Sequence, residues 1–518
     1  MPFVPIRGVG SGGIVTDQAP YDLELTQFPD GNNVVIEDGK LGKAMGFFNR
    51  ENLSFQPTHV QGWLYSGNNT LVVGSLNKLY RYNGTTLSNV TKTSDATNYS
   101  NSPRWQGVQI GTAMLMNNGS EVPQYMLPSG SRFADLPNWP SQLITNCLKP
   151  FNSFLIMSGY EVGSSKYPYT VRWSDEYDPT SVPGSYDITS TTNLSGETTL
   201  SGKNGQLIDQ LALNGSNIIY AERGVFTMSF IGAPLVFAFR EIFEDDGIIN
   251  RGAVASFFGR HLVVGQNDIY VHDGNTKQSI VDKRVRRRFF NQMADTRSVF
   301  CQTVPDRSEV WICYADDDAA DSQSANKALV YNWAQNAFTF IDLPGVRALA
   351  VADNMDTGGN WDVSPGTWAA STDYWSNSSA STNSNNIKVF GADYANSKVT
   401  QHNATNGFAG SAIECFVEAS KIDLDTITGS ATNTIKQIMC IMPQIEGSGS
   451  IDISVGVSDA PQQGVAWQSK STYNIESDHK IDVRASGRYL ALRFESESAA
   501  DTWRITGLDI DIREVASR

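Results

Sequence analysis

Hydrophobic positions along this chain alternate with polar ones in short runs, and almost nowhere do they recur with the 3.6-residue period of a helix. The runs are bounded by Gly, Asn, Asp and Pro, which predicts strands joined by tight turns. Leu71-Val-Val73 leads through a polar turn to Leu79-Tyr-Arg-Tyr82 and then Asn83-Gly84, the dipeptide that most favours a hairpin. The same phrase returns. Arg260-His-Leu-Val-Val-Gly265 is followed by Asp268-Ile-Tyr-Val-His272 and Asp273-Gly274. Asn217-Ile-Ile-Tyr220 is followed by Gly224-Val-Phe-Thr-Met228, and Glu309-Val-Trp-Ile-Cys-Tyr314 by Ala328-Leu-Val-Tyr-Asn-Trp333 and Ala337-Phe-Thr-Phe340. A recurrence every roughly 40–50 residues is the spacing of propeller blades. A blade cannot bury both of its faces alone, so the expectation is a β-propeller of six or seven blades over residues 56–409.

The pattern changes at both ends. From residue 410 the alternation becomes clean: Ile451, Ile453, Val455, Val457, then Leu490, Leu492, Phe494, then Leu508, Ile510, Ile512. Strict period-two alternation predicts antiparallel strands with one polar face, here a separate β-sandwich over 410–518. Residues 1–55 are expected to form an N-terminal arm and a small β element around Asn33-Val-Val-Ile-Glu37 and Asp38-Gly39. A tract rich in Ser, Asn, Gly and Trp at 353–386 is expected to be a long surface loop. The uncharged run at 225–239 is too short to span a bilayer and has Gly232 and Pro234 at its centre, which favours two strands around a Gly-Ala-Pro turn and no membrane insertion.

Composition narrows the functional classes. The chain has 518 residues, only 18% of them charged, and a net charge of −15, which argues against nucleic-acid binding as its main task. Five cysteines, Cys147, Cys301, Cys313, Cys415 and Cys440, lie far apart with no CxxC, as expected of reduced buried thiols in a chain folded in a cytoplasm. The N-terminus has no basic segment followed by an apolar one, so no secretory signal is expected.

Three stretches taken together carry a resemblance. They are Arg7-Gly-Val-Gly-Ser-Gly-Gly-Ile-Val-Thr-Asp17 with Phe28-Pro-Asp-Gly-Asn-Asn-Val34 and Asp38-Gly-Lys40; Val171-Arg-Trp-Ser-Asp175 with Tyr177-Asp-Pro179; and Ser486-Gly-Arg-Tyr-Leu490 with Trp503 and Gly507-Leu-Asp-Ile510. In their order and spacing they resemble the tail hub and nozzle proteins of short-tailed bacteriophages. The resemblance implies a structural, non-enzymatic virion protein of the tail, folded in the host bacterial cytoplasm. It implies a homo-hexamer on the tail axis, with an adaptor or head-to-tail connector ring and tail fibre or tail-tip proteins as partners. DNA would pass through without sequence-specific binding, and no cofactor is implied. The rival reading is a receptor-binding or glycan-cleaving propeller at the tail tip.

No sequence pattern supports a catalytic or metal site. Gly8-Val-Gly-Ser-Gly-Gly13 satisfies G-x-G-x-x-G, but no strand precedes it and no helix follows, so a flexible arm is expected. Asp175, Glu176 and Asp178 read as a self-capping turn, since no aspartate box accompanies them. The acidic runs Glu244-Asp-Asp246 and Asp316-Asp-Asp318 lack the alternating oxygen ligands of a calcium loop. The histidines show no i,i+4 pairing, although His261 and His272 flank one predicted hairpin and are placed to face each other. No Ser occupies a G-x-S-x-G elbow. The feature that stands out is Lys283-Arg-Val-Arg-Arg-Arg288, five cations in six residues of an acidic chain. Lys283, Arg284, Arg286, Arg287 and Arg288 are the candidate interaction residues, expected to meet an acidic surface of a neighbouring subunit or ring.

Overall fold

In the computed structural model the chain is mainly β, with 56% of its residues in strands and 4% in helices. The structure describes residues 3–9, 11–65, 68–101, 104–353, 355, 387–423 and 434–516. Almost all of the tract expected to be a surface loop at 353–386 lies outside the described residues.

Strand turns back on strand through most of the chain, giving small antiparallel sheets in sequence order. Sheet I comprises Pro57–Tyr65, Asn68–Ser75, Leu79–Tyr82 and Leu87–Asn89; sheet II comprises Gln106–Ile110, Ala113–Asn117, Gln124–Met126 and Ala134–Asp135. In sheet III, Leu143–Thr145 and Leu148–Phe151 both pair with Phe154–Val162, followed by Ser165–Trp173 and Gly196–Thr199. Sheet IV is Leu207–Leu213, Ser216–Ala221, Gly224–Gly232 and Val236–Glu244; sheet V is Val254–Phe257, Arg260–Val264, Ile269–His272 and Lys277–Ser279.

The next sheet has seven strands because Ala337–Asp353 serves two neighbourhoods. Its first half pairs with Ala325–Asn332, beyond which lie Glu309–Tyr314 and Phe300–Val304; we call these four sheet VI. Its second half pairs with Ile387–Asp393, then Lys398–Thr405, then Gly46–Asn52 from the start of the chain; these are sheet VII.

Each sheet packs against the next along its first strand. Pro57–Tyr65 touches Gln106–Ile110, which touches Leu148–Phe151, which touches Leu207–Leu213. Leu207–Leu213 touches Val254–Phe257, which touches Phe300–Val304, which touches Ala337–Asp353. Ala337–Asp353 in turn touches Pro57–Tyr65. The apolar core lies between the sheets. Trp63, Trp105, Met114 and Phe133 fill the space between sheets I and II. Phe154, Trp173, Ile219 and Phe237 fill that between III and IV, and Val73, Tyr82, Ala350 and Phe390 that between VII and I. A sheet covered on both faces needs apolar residues at successive positions, which is why Glu309–Tyr314 and Ile269–His272 are buried at every residue.

The remaining strands form two six-stranded sheets on a common apolar core. One contains Ile481–Gly487, Ile435–Ser448, Thr502–Ala516, Lys40–Lys43 and Val34–Glu37, with Val4–Arg7 also on Thr502–Ala516. The other contains Ala466–Trp467, Ser450–Ser458, Tyr489–Ser496, Cys415–Ile422 and Asp30–Asn32, with Ser471–Asn474 on Ser450–Ser458. Here the alternation is clean: Cys415–Ile422 buries every second residue, and so does Ile481–Gly487.

The N-terminal segment departs from the sequence expectation. The hairpin expected around Asp38-Gly39 forms, Val34–Glu37 pairing with Lys40–Lys43, but residues 1–55 are not an arm beside a separate β element, because most of their strands join sheets built from distant sequence. Val4–Arg7, Asp30–Asn32, Val34–Glu37 and Lys40–Lys43 complete the two C-terminal sheets, and Gly46–Asn52 completes sheet VII. Nor is the glycine-rich stretch a free arm. Val9 and Ile14 are buried, and Gly13 sits at φ +68° with the backbone of Phe338 2.8 Å from where a Cβ would stand. Only glycine fits there.

The apolar run at 225–239 falls, as its Gly-Ala-Pro centre predicts, on the two strands Gly224–Gly232 and Val236–Glu244, but its tip is not buried: Phe230, Ile231 and Leu235 are exposed. The α-helix Arg286–Gln292 has seven residues, and among the described residues no helix is long and apolar enough to cross a membrane.

The chain leaves the two C-terminal sheets and returns to them at one place. Gly46 packs directly on Gly407, pairs with Thr405, and Phe47 bridges Phe408. Residues 46–407 are therefore inserted into a unit made of 1–45 and 408–518, an arrangement that closely spaced insertion points permit. Residues 410–518 expressed alone should lack a cooperative unfolding transition, since Cys415–Ile422 and Thr502–Ala516 lose their N-terminal partners. A chain joining 1–45 to 410–518 through a short Gly-Ser linker should unfold cooperatively in urea. A cooperative transition of 410–518 by itself would contradict this division.

Candidate functional site

The basic run lies where the chain enters the helix Arg286–Gln292, and it holds the N-terminal segment in place. The carbonyl of Arg284 accepts the N–H groups of Thr16 (2.7 Å) and Asp17 (2.9 Å), and that of Lys283 accepts Gln18 Nε2 at 2.9 Å. Asp17 Oδ2 accepts the Arg287 N–H at 2.9 Å. Arg288 places its guanidinium 4.0 Å from the ring centre of Phe340 and donates to Asp30 Oδ1 at 2.8 Å. Arg284 donates to the Asn336 carbonyl at 2.6 Å, and Arg286 Nε to the Asn267 carbonyl at 2.7 Å. Three of the five side chains thus have partners within the chain, while the side chains of Lys283 and Arg287 point outward, exposed. The acidic run Glu244-Asp-Asp246 has cations of its own: Lys203 on Glu244 at 3.0 Å, and Lys277 on Asp246. Arg288→Glu should destabilise the monomer by about 2 kcal/mol or more in urea unfolding, because it places a carboxylate against Asp30 and removes the cation from Phe340. Lys283→Glu and Arg287→Glu should stay within about 0.5 kcal/mol of the parent.

His261 and His272 do face each other. They are directly opposed across the hairpin of sheet V, both buried, and Tyr220 of sheet IV stands between them. The Tyr220 hydroxyl is 2.7 Å from His261 Nδ1 and 2.7 Å from His272 Nε2. His261 Nε2 lies 3.0 Å from the Ala212 carbonyl, and the Gly274 N–H donates to His272 Nδ1 at 3.2 Å. These partners fix every proton. Gly274 N–H donates to His272, whose Nε2–H donates to Tyr220; the tyrosine O–H donates to His261, whose Nε2–H donates to Ala212. One directed chain satisfies all the polar atoms with both imidazoles neutral.

Burial, with His272 beside it, pushes His261 down to about 3, and burial pushes His272 down to about 4. Both folded values lie below the roughly 6.5 of an unfolded histidine, so the unfolded chain binds more protons once the pH drops below that value. Stability contributed by the neutral pair is complete above about pH 6.5 and is lost progressively toward pH 4, by up to about 1.4 kcal/mol per pH unit for each histidine. The urea midpoint should therefore fall between pH 6.5 and 4.5, and His272→Gln should make that slope shallower while lowering stability at pH 8.

The relay ends on the turn at residues 273–276, and that turn is the wall between two open grooves. One, of about 360 Å³, is lined by Leu213, Thr227, Phe239 and Arg240 on the side of sheet IV. The other, of about 550 Å³, runs between sheets V and VI over Phe257, Tyr331 and Trp333. Asp273 fixes the turn by accepting the N–H groups of Asn275 and Thr276, each at 2.8 Å.

A second buried polar cluster gathers the points where the chain enters sheets II to VI. Asp209 accepts Lys149 Nζ at 2.6 Å, Gly252 N–H at 2.9 Å and Gln210 N–H at 2.8 Å. Burial would raise this carboxyl, but Lys149 and the two N–H groups outweigh it and hold it below its ordinary range. Arg251 donates to the carbonyls of Asn146 and of Arg104 (2.9 Å), and Arg104 to that of Arg297 at 2.9 Å. Sheets II and VI, and III and V, are thereby linked although they are not sequence neighbours.

The remaining candidates have structural partners. Asp175 Oδ1 accepts the N–H groups of Glu176 (3.0 Å) and Leu194 (2.9 Å), and Asp316 that of Asp318 at 3.0 Å. Among the described residues no group of three or more His, Cys, Asp or Glu side chains is placed to hold a metal ion, and the five cysteines are unpaired. Neither a protein-family model nor a curated protein matches this chain.

Proposed function

We propose that residues 46–407 form a seven-bladed β-propeller inserted into a β-sandwich, and that the chain is a structural subunit of a bacteriophage tail, a hub or nozzle protein that surrounds the path of DNA as a ring of six. The observation that carries the propeller reading is the succession of first-strand contacts, which runs from sheet I through VII and back to I. Gly46–Asn52 is then the outermost strand of the last blade, donated from the other end of the repeat region to close the ring.

In a seven-membered ring the bonds from Arg104 to Arg297 and from Arg251 to Asn146 reach across the axis. The axis of one propeller is then bridged by side chains, and DNA passes between copies instead of through one. Six copies at −15 each carry −90, so a bore lined by such surfaces repels phosphate and lets the duplex slide. The exposed Lys283 and Arg287 are the members of the basic run left for an adaptor or connector ring, with tail fibre or tail-tip proteins on the opposite side. The role is mechanical and electrostatic, without chemistry on a substrate. A second reading, a receptor-binding protein at the tail tip, draws support from the groove between sheets V and VI.

Native mass spectrometry and electron microscopy of the purified chain, alone and with its connector ring, test the ring. The expected species has six copies around a bore wide enough for a DNA duplex. A chain that stays monomeric at tens of micromolar in both conditions would overturn the proposal.

A further inference from the structure

The groove between sheets V and VI is bordered by a turn that joins two of its lining residues, Phe257 and Arg260. Strands Val254–Phe257 and Arg260–Val264 are joined by two residues, Phe258 at φ +43° and Gly259 at φ +71°. Such turns favour Asn-Gly or Asp-Gly, because a bulky side chain is crowded at positive φ. The equivalent turn of sheet IV is Asn214-Gly215, with φ of +49° and +81°, and Asn214 donates to the Gly259 carbonyl at 3.2 Å. Phe258 therefore stands where its neighbour uses asparagine. Left-handed backbone at a residue other than glycine costs roughly 1–2 kcal/mol, and Phe258 recovers none of it by burial, being 89% exposed. An aromatic held out at that cost points to a ligand.

Phe258 stands in the turn between Phe257 and Arg260, which both line the groove, and the groove combines one aromatic surface with polar walls. Trp333 lies 5.3 Å from Phe257, ring centre to ring centre, with Tyr331 beside them. The strand Lys277–Ser279 exposes all three side chains along one wall, and Arg284 and Asn336 lie on the other. Asp273 is occupied by its own turn and Lys277 by Asp246. Arg260, which lines the groove and is exposed, has no carboxylate partner among the described residues, and there the Arg284 guanidinium meets the amide and carbonyl oxygens of Asn336 and the ring of Phe338.

We propose that this groove binds an oligosaccharide bearing a carboxylate. A sugar ring offers an apolar C–H face for Phe258 and Trp333 and a rim of hydroxyls for Gln278, Ser279 and Asn336. Its carboxylate matches the guanidinium of Arg260. Asp273 and Asp282 also line the groove, so a chain of closely spaced phosphates meets repulsion along its length, whereas an isolated carboxylate is accommodated at Arg260 with uncharged hydroxyls beside the aspartates. The inference is independent of the ring reading.

The test is calorimetric titration of the full chain with tetragalacturonic acid, sialyllactose, maltotetraose and decathymidylate. At least one of the two acidic saccharides should bind with a Kd of about 1 mM or tighter, and maltotetraose about tenfold more weakly. Phe258→Asn and Arg260→Ala should each weaken the acidic ligand about tenfold or more, while Phe258→Asn leaves thermal stability unchanged or raises it. The proposal is overturned if neither acidic saccharide binds at millimolar concentration, if both variants bind like the parent, or if decathymidylate binds in preference.

Discussion

Everything else in this chain depends on the pairing of Gly46–Asn52 with Lys398–Thr405. Sheets I to VII are apolar on both faces, so each is stable only with a neighbour on either side. Sheets II to VI find theirs in sequence order. Sheets I and VII do not, and they cover each other only because Ala337–Asp353 returns to Pro57–Tyr65 and a strand from before the repeats extends sheet VII. Val60, Val73, Ala350 and Phe390 would otherwise face water. A contact across about 350 residues of sequence thus decides whether the local hairpins add up to one body, and closing it carries the entropy cost of a long loop.

The same segment ties that body to the two C-terminal sheets. Asn33 is the joint: its N–H donates to the Phe340 carbonyl, its side-chain amide donates to Asp342 Oδ2 at 2.6 Å and to the Glu414 carbonyl at 2.8 Å, and its Oδ1 accepts the Asp342 N–H. Asn332 repeats the device by donating to the Ile36 carbonyl at 2.9 Å. Arg288, stacked on Phe340 and paired with Asp30, sits next to it. The basic run is dense because several of its members have separate anchoring tasks within one turn of chain, which removes the main argument that the density itself demands an external partner.

What could be read from the sequence follows from how local its cause is. The recurring phrase falls on the second and third strands of sheets I, IV, V and VI, because those strands form hairpins whose turns are encoded within a few residues. The facing of His261 and His272 was legible for the same reason, as both are equidistant from one turn. Tyr220 was not, since it comes from another sheet. The hairpin around Asp38-Gly39 was legible because its turn is local, whereas the placement of Val4–Arg7, Asp30–Asn32, Lys40–Lys43 and Gly46–Asn52 was not, because these short strands pair with sequence hundreds of positions away. Five cations in six residues carry no signal of which one will meet Phe340. The grooves were invisible because their walls come from separate sheets, although Phe258-Gly259 in place of Asn-Gly was a local irregularity open to notice.

Two kinds of expense stand side by side around the turn at residues 273–276, and they argue in opposite directions. The Tyr220, His261 and His272 chain buries three polar side chains, yet every donor and acceptor in it is matched, so it adds rigidity without leaving anything for a ligand to satisfy. Phe258 does the reverse: it buries nothing, strains the backbone, and leaves an aromatic face in water. A feature that is internally complete is explained by the fold it holds, whereas one that is incomplete in the fold calls for something outside it. Judged this way the buried relay is scaffolding for the turn that walls the groove, and the open side, where Phe258 is exposed and Arg260 has no carboxylate among the described residues, is where a binding partner would act.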